Sequence, residues 1–150
     1  LGHHRYDWLY VTAFVAPMSG ETVWFLSNGI DKPFFIELLK ALARETCAGR
    51  DRILVLVLDN AGWHGPENLP VLDGIRLVFQ PPYSPELNPI ERLWRDLKDK
   101  LAAIPVKTIA ALSEAMCTII QHYSLATLQS LTSFPYFVHA VEAVQKARYG

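Results

Sequence analysis

Gln80-Pro81-Pro82-Tyr83-Ser84-Pro85-Glu86-Leu87-Asn88-Pro89-Ile90-Glu91-Arg92-Leu93-Trp94 is a stiff lead-in followed by the start of an amphipathic helix. Proline fixes φ and pushes the residue before it away from helical geometry. Pro81, Pro82 and Pro85 therefore predict an extended approach, and helix begins near Asn88-Pro89. Asn88 has the chemistry of an N-cap and Pro89 that of a first helical residue. Glu91 then falls in the first turn, where the helix dipole favours a carboxylate. A second carboxylate, Asp59, is the natural partner to look for upstream.

Outward from this stretch, Ile75–Phe79 reads as a strand entered through the turn Asp73-Gly74. Before it, Ile53-Leu54-Val55-Leu56-Val57-Leu58 is apolar without alternation, the pattern of a strand buried on both faces in a parallel sheet. It ends at Asp59-Asn60. A helix is expected over 32–47, capped by Asp31, with Pro33 in its first turn and Gly49 as its stop. Residues 6–16 and 21–26 are rich in aromatic and β-branched residues and form a hairpin through Pro17-Met18-Ser19-Gly20.

Downstream, a helix spans about 89–103. Ile90, Leu93, Trp94, Leu97 and Leu101 share one arc, and Glu91, Arg95 and Lys98 line its edge. Arg92, Asp96, Asp99 and Lys100 are expected to point away. Further helices are expected over 107–123, 125–132 and 136–148, with a break near Pro135. The order of elements is that of an α/β fold with a mixed sheet. Residues 1–104 would hold the sheet, and 105–150 would be C-terminal helices packed on the same domain.

A hydrophobic fraction of 51% with 19% charged residues supports a real core. The net charge of −1 excludes a generally basic nucleic-acid binder, so any contact with DNA must be local. No apolar run is long enough for a membrane span, and no signal peptide is visible. The chain opens on Leu1, a hint that this is not a natural start. Cys47 and Cys117 share no metal or redox spacing and read as buried free thiols.

Asp59 lies at the carboxyl end of a buried strand, where ligands of open α/β sheets bind. Alone it reads as an Asx-turn aided by Asn60, and Glu91 alone as an ordinary helix N-terminal acid. With 31 residues between them, the two can meet above the sheet edge. Paired carboxylates repel unless a proton or cation lies between them, and oxygen donors suit Mg²⁺ or Mn²⁺. Two such ions would support phosphoryl transfer. His64 could touch a scissile phosphate or support the metal, against a plain reading as a solvated loop histidine. Arg95 and Lys98 could meet DNA phosphates, against a solvated ion-pair face. His3-His4 lacks partners for a zinc site, and His122 and His139 read as structural. Ser84 lacks the context of a triad, and no glycine-rich phosphate loop occurs.

Asp59-Asn60-Ala61-Gly62-Trp63-His64, followed in order by Pro81-Pro82-Tyr83-Ser84-Pro85-Glu86-Leu87-Asn88-Pro89-Ile90-Glu91-Arg92-Leu93-Trp94, resembles the DDE transposases. The likeness is greatest to the bacterial insertion-sequence 630 group of the mariner-type superfamily, and it covers about residues 3–103. It implies an RNase H-like fold and a metal-dependent recombinase that nicks transposon ends and joins them to target DNA, at TA dinucleotides. It implies Asp59 and Glu91 as catalytic metal ligands, with Asn60, His64, Asn88, Arg95 and Lys98 supporting them or binding DNA. It also implies Mg²⁺ or Mn²⁺, two ions in the complete enzyme, double-stranded DNA as partner, a homo-oligomeric active complex, and a cytoplasmic, nucleoid-associated place in a bacterium.

The chain departs from the family pattern. The strand bearing the first catalytic aspartate, central in the family's sheet, is absent, and Asp7 falls in what resembles the second strand. The helix-turn-helix region is absent, and the interval from Asp59 to Glu91 is shorter than usual, which implies a trimmed loop. Loss of a central strand leaves two edges to satisfy. The chain is thus expected to be marginal as a monomer. It would pair the hairpin directly against Ile53–Leu58 or oligomerise. An inactive truncated remnant, binding at most DNA or protein, is the alternative to a working transposase fragment. A different RNase H-like nuclease, or a domain recruited to another job, is a third.

Overall fold

The computed structural model describes residues 9–59, 69–70, 72–81 and 87–149. The chain divides into two compact units. One runs up to Leu26 and resumes at Pro89, and the other is Ser27–Asn88. Together they make a mixed α/β fold with two small sheets flanked by helices.

In the first unit, β1 (Tyr10–Val15) and β2 (Thr22–Ser27, its last residue crossing the boundary) pair as the expected hairpin. A connection this short joins only antiparallel strands. Ala16 N–H donates to Glu21 O at 2.9 Å and Gly20 N–H to Ala16 O at 2.8 Å. Gly20 adopts φ +79°, and a Cβ there would sit 2.9 Å from Gln129 N and against the Leu125 carbonyl, so only glycine fits. Helices α2 (Ile90–Ala102), α3 (Ile109–His122), α4 (Leu125–Thr132) and α5 (Pro135–Tyr149) follow. Both α3 and α4 pack on α2, which buries Leu93 and Leu97 as its wheel predicts. Thr108 and Ser124 cap α3 and α4 through their hydroxyls. Thr132 is fully buried, and its hydroxyl donates to Leu128 O at 2.7 Å.

In the second unit, α1 (Lys32–Glu45) is capped by Asp31, which accepts from Phe34 N at 2.9 Å. It ends earlier than the spacing predicts. Thr46 takes the C-cap, its hydroxyl donating to Leu42 O, and Cys47 turns to φ +54° before Gly49 is reached. Strands β3 (Leu54–Leu58) and β4 (Ile75–Phe79) are parallel, with Leu54 beside Ile75 and Leu58 beside Phe79. Gly74 precedes β4 at φ +78°, where a Cβ would meet Ala48 C at 2.6 Å.

Alternation puts Leu54, Leu56, Leu58, Ile75, Leu77 and Phe79 on one face of this pair. A cavity of about 260 Å³ between this face and α1 is lined by Leu39, Leu69, Ile75 and Phe79 among others. The other face carries Val55, Val57, Arg76 and Val78. Here the expectation of burial on both faces is corrected. Val55 is 61% exposed, Val78 47%, and Ile53 just before β3 56%. Parallel pairing is present, but among the described residues Val55 and Val78 on this face stay exposed.

The single mixed sheet is corrected too. The hairpin pairs with itself, β3 pairs with β4, and no ladder joins the two sheets among the described residues. Among the described residues the hairpin does not pair directly with Ile53–Leu58. Both cysteines are exposed, not buried, because each falls on the polar side of its helix or beyond a helix end. Among the described residues no helix is long and apolar enough to cross a membrane.

Candidate functional site

Asp59 immediately follows β3 and is exposed. Its position is fixed by the last rung of the ladder, where Gln80 N–H donates to Leu58 O at 2.8 Å. Glu91 lies in the first turn of α2 and is exposed, as the sequence predicts. Asn88 is not the helix cap. Pro89 occupies that position with φ −59° and ψ −26°, and no side chain caps α2. The buried Pro89, already helical in φ and ψ, moves the helix start one residue on. Arg95 and Lys98 are exposed on α2, on the helix that carries Glu91. Asn60 and His64 lie outside the described residues. Asp59 thus belongs to the second unit, and Glu91, Arg95 and Lys98 to the first.

What holds α2 in place was missed by the wheel. Asp96 does not point away. It accepts from Tyr123 Oη at 2.6 Å and from Lys100 Nζ at 2.6 Å. The Lys100 ammonium also stands over the Tyr123 ring at 5.2 Å, and Trp24 stacks on that ring with an interplanar angle of 4°. Trp94 meets Trp24 edge-on at 5.9 Å. The Asp96 carboxyl is held below the usual carboxylate range by the bond from Lys100 and then by that from Tyr123, against the opposing effect of burial. Burial, then Asp96, pushes the Tyr123 hydroxyl well above the ordinary tyrosine value. Arg92, on the other side of α2, lies over the Phe134 ring at 5.5 Å. The aromatic residues at 24, 94 and 123 were legible as apolar, but their convergence is long-range and leaves no mark in local spacing.

Chemically, Asp59 offers hard oxygen donors at an open strand end. That suits a single cation such as Mg²⁺, which takes one or two carboxylates and completes its shell with water and phosphate. Among the described residues no group of three or more His, Cys, Asp or Glu gathers to hold a metal.

A family model described as "DDE superfamily endonuclease" matches residues 2–113. A protein of Sinorhizobium fredii called "Uncharacterized protein y4pE/y4sA" is 38% identical over 92 residues, which cover 61% of this chain and 67% of that protein. No solved structure gives a significant match.

Proposed function

Because the chain belongs to the DDE superfamily endonuclease family, we propose that it is a transposase-related catalytic domain that is inactive as a 150-residue chain. It acts at most as a DNA- or protein-binding module. The observation that carries this reading is the ligand set. Two ions about 3.5–4 Å apart, as two-metal phosphoryl transfer uses them, need more protein ligands than the described residues gather. Exposed Arg95 and Lys98 supply a local contact for phosphate despite the overall charge of −1.

A second reading is favoured by the family match, which spans both Asp59 and Glu91. In it the chain is the catalytic part of a DNA transposase, of the insertion-sequence branch of the mariner-type superfamily, with an RNase H-like fold. Asp59 and Glu91 would hold Mg²⁺ or Mn²⁺, which would supply Lewis-acid polarisation of a phosphoryl oxygen and activation of the attacking hydroxyl. Arg95 and Lys98 orient the DNA backbone, and transposon ends and target DNA are the partners of a homo-oligomer.

A nicking assay separates the two. The full chain is incubated with supercoiled plasmid and Mg²⁺ or Mn²⁺, beside Asp59→Ala and Glu91→Ala. The expected result is no nicking above either variant, with weak duplex binding that fades as salt rises. Metal-dependent nicking that disappears in both variants would overturn the inactive reading and establish the second.

A further inference from the structure

The two outer edges of the β3–β4 pair are unlike. Leu54 N–H donates to Gly74 O at 2.7 Å and Gln80 N–H to Leu58 O at 2.8 Å, so Leu54 and Leu58 turn their peptide groups toward β4. Alternation puts Leu56 with them and turns the N–H and C=O of Val55 and Val57 to the outer side of β3. On β4 the same alternation turns Ile75 outward, and both of its groups are taken. Its N–H donates to Leu72 O at 3.2 Å, and its carbonyl accepts from the Arg76 guanidinium at 3.1 Å. A charged side chain laid along an edge opposes the addition of another strand. Nothing of the kind guards β3. Leu54-Val55-Leu56-Val57-Leu58 holds no charge, proline or glycine, Val55 is exposed, and among the described residues no third strand joins the ladder.

These five residues also read the same in both directions. An antiparallel copy related by a two-fold axis at Leu56 therefore sets Val55 against Val57, Leu54 against Leu58, and Leu56 against its own counterpart. Such self-matching is what a two-fold interface requires. We propose that the outer edge of β3 docks a second copy of this chain, joining two β3–β4 pairs into one continuous sheet. On each side of the axis, Val55 of one copy and Val57 of the other exchange both N–H···O bonds. The leucines stay together on the α1 side of the joined sheet, and the valines run on across the junction. Arg76 lies one strand out from the junction in each copy. The two Arg76 positions are then about 14 Å apart, beyond the screening length of about 8 Å at physiological ionic strength. Because the outer edge of β4 is guarded, addition stops at two copies. The pairing does not depend on whether the chain acts on DNA.

The test follows the full chain by sedimentation and by amide hydrogen exchange over a range of concentrations. The expected result is a monomer–dimer equilibrium with no larger species, in which the Val55 and Val57 amides exchange more slowly as concentration rises. Two variants check the register. A chain with Val55→Lys and Val57→Lys, and a chain with Val55→Glu and Val57→Glu, should each dimerise about tenfold more weakly than the parent. Mixed, the two should pair with each other, because the axis sets position 55 against position 57. A parent chain that stays monomeric at every concentration overturns the proposal. So does a dimer whose Val55 and Val57 amides still exchange fast, since its contact lies elsewhere. Slow exchange at both positions in a monomer also overturns it, because the edge is then covered within one chain. Growth beyond the dimer overturns the closure at two copies. These readings on the parent need no variant to fold, and folded Lys and Glu chains that do not pair overturn the axis at Leu56.

Discussion

Gly20 and Tyr123 show how single side chains hold the first unit. Gly20 combines a left-handed backbone with the close approach of α4, whose Gln129 Nε2 donates to Met18 O at 2.8 Å. Gly20→Ala is expected to cost at least about 1–2 kcal/mol, read as a lower urea midpoint. Tyr123→Phe removes a bond to a charged acceptor and should cost about 1.5–3 kcal/mol at neutral pH. The pH dependence has a definite sign. Because the folded Asp96 carboxyl sits below its ordinary value, its stabilisation is present above the usual carboxylate range and is lost as pH falls through the lower folded value. Tyr123 runs the other way, with its contribution intact below the ordinary tyrosine value. Thermal midpoints followed from neutral pH into acid should therefore fall less steeply for Asp96→Asn than for the parent chain. At this scale the sequence was half legible. Asp59 and Glu91 stood out from their settings, at a strand end and in a proline-led helix turn. Asp96 did not, because its partner Tyr123 is 27 residues away and a helical wheel sees only its own helix.

The β3–β4 pair shows the same division at the level of elements. Both strands were legible, because runs such as Leu54–Leu58 bounded by charged and turn residues have few other readings. Their parallel pairing was read from the unalternated apolar run Ile53–Leu58. What an apolar run cannot specify is whether anything covers its second face, since coverage depends on other elements. Replacing Val55 by Thr should therefore change stability by no more than about 0.5 kcal/mol, although the sequence makes it look like core. Leu39→Ala, at a fully buried position of α1, should cost about 2–5 kcal/mol, and chemical denaturation of both variants checks the contrast. The bare face, with Ile53, Val55 and Val78 in solvent, should also bind a hydrophobic dye in the native chain, and Val55→Lys should reduce that signal. The start of α2 was misplaced by one residue for a local reason. Asn88 and Pro89 both favour a helix start, and proline geometry prevailed.

At the scale of the whole molecule, the chain leaves the first unit at Leu26, builds the second, and returns at Pro89. Hydrogen exchange on the intact chain should resolve two sets of protected amides, one in α1, β3 and β4 and one in the hairpin with α2 to α4. Exchange of all of them in one concerted step would contradict two compact units. The division was not legible in the sequence, because no linker composition marks either crossing point.

The discontinuity also sets an order of events at the ribosome. The second unit is one unbroken stretch and can close on itself as soon as Asn88 has emerged. The hairpin is made earlier but must wait. Its seat is α4, and the bond from Gln129 to Met18 joins positions 111 residues apart. Until Gln129 is synthesised, the hairpin is without its partner, and a pause or stop in translation before α4 would strand it.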